Sequence, residues 1–138
     1  MNVIPISRPG RKLGTVSVPN VTLAHGGGGK AMKDLIDDVF ISVFTGSGPD
    51  ALEDQARIDL LGLTKLGDRV AFTTDSFVVD PLFFPGGDIG KLAICGTIND
   101  LAVGGAKPLY ISCAAIIEEG VSVDLFRRIA RSMAETAQ

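Results

Sequence analysis

Apolar residues recur along this chain at spacings that predict particular elements. Met32, Leu35, Ile36, Val39, Phe40 and Val43 step by three and four, so AMKDLIDDVFISVF (residues 31–44) should form an amphipathic helix. A short apolar run at 21–24 precedes it, and a run of glycines lies between, giving a strand, a glycine loop and a helix. Ala56, Ile58 and Leu60 alternate in QARIDLLGL, and RVAFTTDSFVV (69–79) is rich in β-branched and aromatic residues; both predict strands. Ile89, Leu92, Ala93, Ile98, Leu101 and Ala102 form a helical stripe that opens at Asp88, a residue suited to an N-cap, and stops at Gly104-Gly105. PLYISCAAII (108–117) predicts a buried strand, and residues 122–137 a last helix with Ser122 as its cap.

The punctuation between these runs is equally local. TGSGPDALED (45–54) is a loop, Gly67-Asp68 a turn, and PLFFPGG (81–87) a break carrying Phe83 and Phe84, which either pack locally or form part of an interface. Residues 1–20, with three prolines, two glycines and the basic residues Arg8, Arg11 and Lys12, are expected to form a flexible N-terminal extension. The final helix reaches residue 138 with no glycine stop and no closing strand, so the sequence is expected to be a piece of a longer chain.

Composition narrows the function classes. The 138 residues suit one domain, and 46% hydrophobic residues supply enough material for a core. A net charge of −3 with no basic stripe argues against a nucleic-acid partner. Mean hydropathy is positive at +0.32, yet no apolar run approaches the ~20 residues of a membrane span and the N-terminus has no apolar signal region. The positive value instead predicts apolar surface covered by a partner or by missing sequence. Cys95 and Cys113, each in apolar surroundings, are expected to be buried thiols in a reducing compartment, so a cytoplasmic location is expected.

Three places carry candidate chemistry. Gly26, Gly27, Gly28 and Gly29 lead into Lys30 at the start of a helix, where backbone N–H groups, the helix dipole and an ammonium can converge on a phosphate. The loop is not a Walker A motif, because Ala24 stands where that motif needs glycine and Ala31 where it needs Ser or Thr. The alternative is a flexible turn beside a solvated lysine. Asp75 interrupts an apolar strand, and Asn99-Asp100 interrupts an apolar helix. Buried carboxylates must be paired, hydrogen-bonded or metal-bound. Two such acids suit a hard divalent cation bridged to phosphates, whereas Asp100 alone could be a helix-end hydrogen bonder. His25, the only histidine, is either a structural residue of the turn or a catalytic one.

The segments LAHGGGGKAMKDLIDDVF, LEDQAR, TTDSFVVDPLFFPGGDIGKLAICGTINDLAVGGAKPLYISCAAIIEEG and SMAETA closely resemble the HypE family of hydrogenase maturation proteins. That family lies in the superfamily of aminoimidazole ribonucleotide (AIR) synthetase (PurM), thiamine-monophosphate kinase and selenophosphate synthetase. The resemblance covers about residues 21–138. It implies an α+β fold of the PurM N-terminal type, a mixed or antiparallel sheet with helices on one face, whose sheets pair into a barrel-like homodimer. It also implies an ATP-dependent carbamoyl dehydratase that converts an S-carboxamide on a C-terminal cysteine to a thiocyanate, the source of the cyanide ligands of [NiFe]-hydrogenase iron. ATP and Mg²⁺ would be the cofactors, with a carbamoyltransferase (HypF) and a HypC–HypD scaffold as partners. By motif match, Asp75 and Asp100 would hold the metal; Gly26, Gly27, Gly28, Gly29, Lys30, Asp75, Asn99 and Asp100 would line the ATP phosphates.

The family's C-terminal half and its modified cysteine are absent from this sequence, and neither Cys95 nor Cys113 takes that role. The chain is therefore expected to be inactive alone. Selenophosphate synthetase is disfavoured, because the Cys or Sec of its glycine loop is glycine here. Two other readings are a dimerising assembly module that docks maturation partners, indifferent to nucleotide, and a nucleotide-dependent kinase of the same superfamily.

Overall fold

The computed structural model describes residues 12–44 and 55–138, which divide into two compact units. The first joins residues 12–44 to Ile117–Arg131; the second joins residues 55–116 to Ser132–Gln138. The expected loop at 45–54 and the first eleven residues of the expected extension lie outside the described residues.

In the first unit the helix expected at 31–44 runs as three consecutive pieces. They are α1 (Lys30–Leu35), a π-helical stretch (Ile36–Ile41) and α2 (Ser42–Phe44). Its Leu35 and Val39 pack with Val16, Val21 and the α5 residues Val123, Phe126 and Ala130; α5 spans Val123–Thr136. Phe40 meets Phe126 edge to face, with ring centroids 5.2 Å apart, the geometry that the ring quadrupoles favour. Ser122 lies where the sequence places the cap: its Oγ accepts from Leu125 N–H at 3.5 Å.

Two expectations are corrected here. The strand expected at 21–24 is a 3-10 turn, Leu23–Gly26. Only the residues just before it pair: Val21 N–H donates to Val121 O and Gly120 N–H to Val21 O, both at 2.8 Å, and Asn20 bridges Ser122. The body of the domain also begins before Val21. Asp37, fully buried, accepts Gly14 N–H at 3.0 Å and Lys33 Nζ at 2.8 Å, while Asp38 accepts Val16 N–H at 2.7 Å. Val16 itself is buried, so carboxylates and core together hold residues 14–16.

The second unit is built around α4 (Ile89–Val103). Asp88 caps it as expected, accepting Lys91 N–H at 3.0 Å, and the helix ends where Gly104 N–H returns to Asp100 O at 3.4 Å. The predicted stripe is displaced, however: Ile94, outside it, is buried at 1% exposure, whereas Leu92 and Ala102 are exposed. Before α4, Phe83–Phe84 (β1) and Gly87–Asp88 (β2) form a two-stranded antiparallel ribbon in the register Phe83↔Asp88 and Phe84↔Gly87. The expected strand in 55–63 becomes an exposed segment and a short helix, α3 (Leu60–Thr64), because Asp59 caps it with both carboxylate oxygens.

The fold is α+β, but this small ribbon is the sheet among the described residues, in place of the larger sheet expected. Segments 69–79 and 106–118 form no ladder there. A strand cannot satisfy its own backbone and requires a neighbour. Their apolar side chains stand exposed, Val78 at 97% and Ile116 at 103%. Cys95 and Cys113 are likewise free and exposed, not buried thiols. Partial burial of the Cys113 sulfur still pushes its thiol up from the ordinary value. No described helix is long and apolar enough to cross a membrane.

Candidate functional site

The glycine loop begins at a fixed point. His25 is buried, and its Nδ1 accepts Thr22 N–H at 3.0 Å and lies 3.0 Å from Thr22 Oγ1. Accepting a backbone N–H requires a bare Nδ1, so this contact takes the tautomer with its proton on Nε2. Two residues earlier, Leu23 N–H donates to Glu119 Oε1 at 3.1 Å. The lone histidine therefore has a structural role, tying the root of the loop.

Beyond His25 the loop stands clear. A side chain added at Gly26, Gly28 or Gly29 would meet nothing within 4 Å, and Gly28 adopts φ +74°, a left-handed conformation that other residues rarely take. The N–H groups of Gly28 and Gly29 find no acceptor among the described residues. Lys30, 85% exposed at its side chain, pairs with Asp34 one helical turn further on. Free N–H groups and an ammonium are the donor set that an anionic phosphate needs.

The three polar residues of the second unit are all exposed, which corrects the expectation that apolar elements bury them. Asp75 Oδ1 accepts Ser76 N–H at 2.7 Å. Among the described residues no group reaches the Asp100 carboxylate or the Asn99 amide, and Asp100 lies near the end of α4. Carboxylate oxygens of this kind suit a hard cation such as Mg²⁺. No group of three or more His, Cys, Asp or Glu among the described residues could hold a metal by itself, so further oxygens would have to come from a ligand.

One contact brings the two acidic segments together. Phe77 lays its ring against Gly96 of α4, so closely that a Cβ at Gly96 would lie 2.6 Å from Phe77 Cε1 and Cζ. The sequence reading missed this pair; its one signal was a glycine inside a helix, a position that costs about 1 kcal/mol relative to alanine. Elsewhere in this unit a recess of about 110 Å³, lined by Ile94, Thr97, Leu101, Tyr110 and their neighbours, is apolar. It is too small for a nucleotide, whose pockets run to ~300 Å³ and more.

Residues 52–138 match the family described as AIR synthase related protein, N-terminal domain. The chain belongs to that family. Among proteins of known name, it is 63% identical over 118 residues to the carbamoyl dehydratase HypE of Rhodobacter capsulatus, covering 86% of this chain and 34% of that protein. It is 56% identical over 119 residues to carbamoyl dehydratase HypE of Escherichia coli K12, covering 86% and 35%. The crystal structure of E. coli HypE, a hydrogenase maturation protein, superposes with a TM-score of 0.70 at 56% identity, covering 77% of this chain and 33% of that one. The fold is thus that of an AIR synthase related N-terminal domain, and the chain spans about a third of the length of the curated relatives it matches. Any 118-residue stretch of this 138-residue chain includes residues 21–118, so the likeness to HypE spans the glycine loop and both acids.

Proposed function

We propose that this chain is the nucleotide-binding N-terminal domain of a HypE-type carbamoyl dehydratase acting in hydrogenase maturation. The observation that carries the reading is the pairing of that likeness with two exposed carboxylates, Asp75 and Asp100, on otherwise apolar segments. Exposed carboxylate oxygens of this kind are the hard donors that a Mg²⁺ bridged to phosphates takes. Asp75 and Asp100 would hold Mg²⁺, with Asn99 beside them; the Gly28 and Gly29 N–H groups and Lys30 would bind phosphate oxygens, with Gly26 and Gly27 giving the loop its reach.

In the full-length reaction ATP supplies the phosphoryl group that turns the amide oxygen of an S-carboxamide cysteine into a leaving group. The C–O bond breaks, the amide nitrogen loses its two protons, and the products are a thiocyanate, ADP and phosphate. This chain's residues would contribute binding and orientation. Lys30 would exchange its partner Asp34 for a phosphate, its own side chain being exposed and free to swing from one to the other. The modified cysteine would lie in the roughly two thirds of the relatives that this sequence does not span.

The exposed apolar segments 69–79 and 106–118 support pairing with a second copy of the domain, in the barrel-like manner of the superfamily, in the cytoplasm. The same surfaces favour a second reading, an assembly module that docks a HypF carbamoyltransferase or a HypC–HypD scaffold. A thermal-shift titration of the purified chain with Mg-ATP, alongside Asp100→Asn, separates the two. At ATP ~100-fold above Kd the nucleotide-binding reading expects about 2.7 kcal/mol of stabilisation, lost in the variant. An equal response of both proteins, or none from either, favours the assembly module.

A further inference from the structure

We infer that the imidazole of His25 serves the glycine loop twice: Nδ1 ties its root, and Nε2–H donates to a phosphate oxygen of the bound nucleotide. The inference rests on the functional reading above and deepens it, adding a binding residue to the donor set of the loop.

His25 is 8% exposed, and its two ring nitrogens have very different surroundings. Around Nδ1 lie Thr22 N–H and Thr22 Oγ1, both at 3.0 Å, and Thr22 O at 3.2 Å. That carbonyl already accepts His25 N–H at 2.9 Å. The two closer groups can donate, so Nδ1 is the acceptor and the proton sits on Nε2. Nε2–H finds no acceptor among the described residues. Buried N–H groups are paired in nearly every case, and an orphan bears the full desolvation penalty of the group. A histidine that spends one nitrogen on the backbone and leaves the other unpaired makes sense when a ligand supplies the missing acceptor.

The class of ligand follows from the surroundings. Thr22 fixes the tautomer, so Nε2 can only donate, and its partner must carry a lone pair. Nε2 forms the far tip of a rigid ring, so with Nδ1 docked on Thr22 its N–H points away from that residue. Gly26 follows directly, and the unpaired N–H groups of Gly28 and Gly29 begin three residues on, at most ~11 Å along the backbone. Donors lacking acceptors thus stand at 25, 28 and 29, with the exposed Lys30 ammonium next in line. A chain of anionic oxygens satisfies such a set together.

The chain has one histidine, so a long-range proton–nitrogen correlation spectrum of the untagged, isotope-labelled protein reports this ring alone. The free protein is expected to show the neutral Nε2–H tautomer. Saturating Mg-ATP and saturating inorganic triphosphate should each move the Nε2 resonance and leave the Nδ1 pattern in place. Two variants separate the nitrogens. His25→Asn keeps an acceptor where Nδ1 stands and loses the distant donor. His25→Gln carries an amide N–H out to the place of Nε2 and gives up the near acceptor. Mg-ATP affinity should fall about 10-fold in His25→Asn, the scale of one hydrogen bond to a charged acceptor, and stay near wild type in His25→Gln. The urea midpoint should instead fall further in His25→Gln. Affinity that follows stability through both variants overturns the inference and leaves the ring a structural tie alone. So does a bare Nε2 in the free protein, or an Nε2 resonance unmoved while ATP binds. A response to ATP but not to triphosphate takes the acceptor off the phosphates and overturns it too. Failure of the wild type to bind either probe overturns the functional reading and this inference together.

Discussion

Arg127 of α5 grips Asp38 with two nitrogens, Nη2 lying 2.6 Å from Oδ2 and Nε 3.2 Å from Oδ1. The fork-to-carboxylate match adds direction as well as charge. Asp38 at the same time accepts Val16 N–H, and Arg127 reaches Asp124 at 2.5 Å. One carboxylate therefore joins the N-terminal segment, the π-helical stretch and α5. Replacing Arg127 by Met would leave Asp38, 14% exposed at its side chain, without its cation. Breaking fully buried pairs costs 3–5 kcal/mol, and exposed pairs almost nothing. For this half-covered pair a loss of about 1–2 kcal/mol is expected, read from urea denaturation; Arg127→Lys should lose part of it, because a point ammonium cannot reproduce the fork.

The same pair predicts the acid limb of stability. Burial raises the Asp38 carboxyl, but the Arg127 hydrogen bond, the Val16 N–H and the Arg127 charge outweigh it and hold it below the usual carboxylate range. A depressed folded value means that the contribution is fully present above the unfolded value of about 3.9 and is lost as pH falls through the lower folded one. Unfolding free energy measured from pH 5 down to pH 2 should therefore fall less steeply for Asp38→Asn than for wild type. Equal slopes would remove Asp38 from the account.

His25 makes a different kind of prediction, because its partner is backbone. His25→Ala leaves Thr22 N–H without its acceptor at the root of the glycine loop. A loss of about 1 kcal/mol is expected in chemical denaturation. His25→Asn, whose amide oxygen also accepts, should lose less.

Asp75→Asn and Asp100→Asn should each lower Mg-dependent ATP affinity without unfolding the domain. Both residues are exposed, and surface substitutions away from special features stay within about 0.5 kcal/mol. Calorimetric titration and a melting curve on the same sample check the two halves of the statement. Wild-type affinity in either variant would remove that residue from the site.

Val78 and Ile116 are almost completely exposed, so Val78→Lys and Ile116→Lys should leave the stability of the monomer unchanged. If these segments meet a second copy, the charges must be buried on association, at a cost no dimer of this size absorbs without pairing them. Sedimentation is expected to show the wild type self-associating and the variants monomeric. A monomeric wild type would sink the dimer reading.

By itself the sequence determined what depends on near neighbours. The α4 boundaries between Asp88 and Gly104, the last helix after Ser122, and the helix following the four glycines are set by caps, glycines and three-to-four spacing, all within a turn or two of the residues concerned. The residues of the candidate site were visible for the same reason: a glycine run ending in Lys30, and acids at 75 and 100 within apolar stretches, are local irregularities. Tertiary structure alone decided the rest. The β-rich character of 69–79 was legible, but a strand exists through a partner distant in sequence, and among the described residues none meets it. Asp59 turned an alternating segment into a helix start, because two carboxylate–amide bonds outweigh weak alternation. The burial of Asp37, the grip of Arg127 on Asp38 and the seat of Phe77 on Gly96 each join positions that no spacing rule connects. Packing selects such pairs by shape and charge in three dimensions, and only the folded chain brings them together.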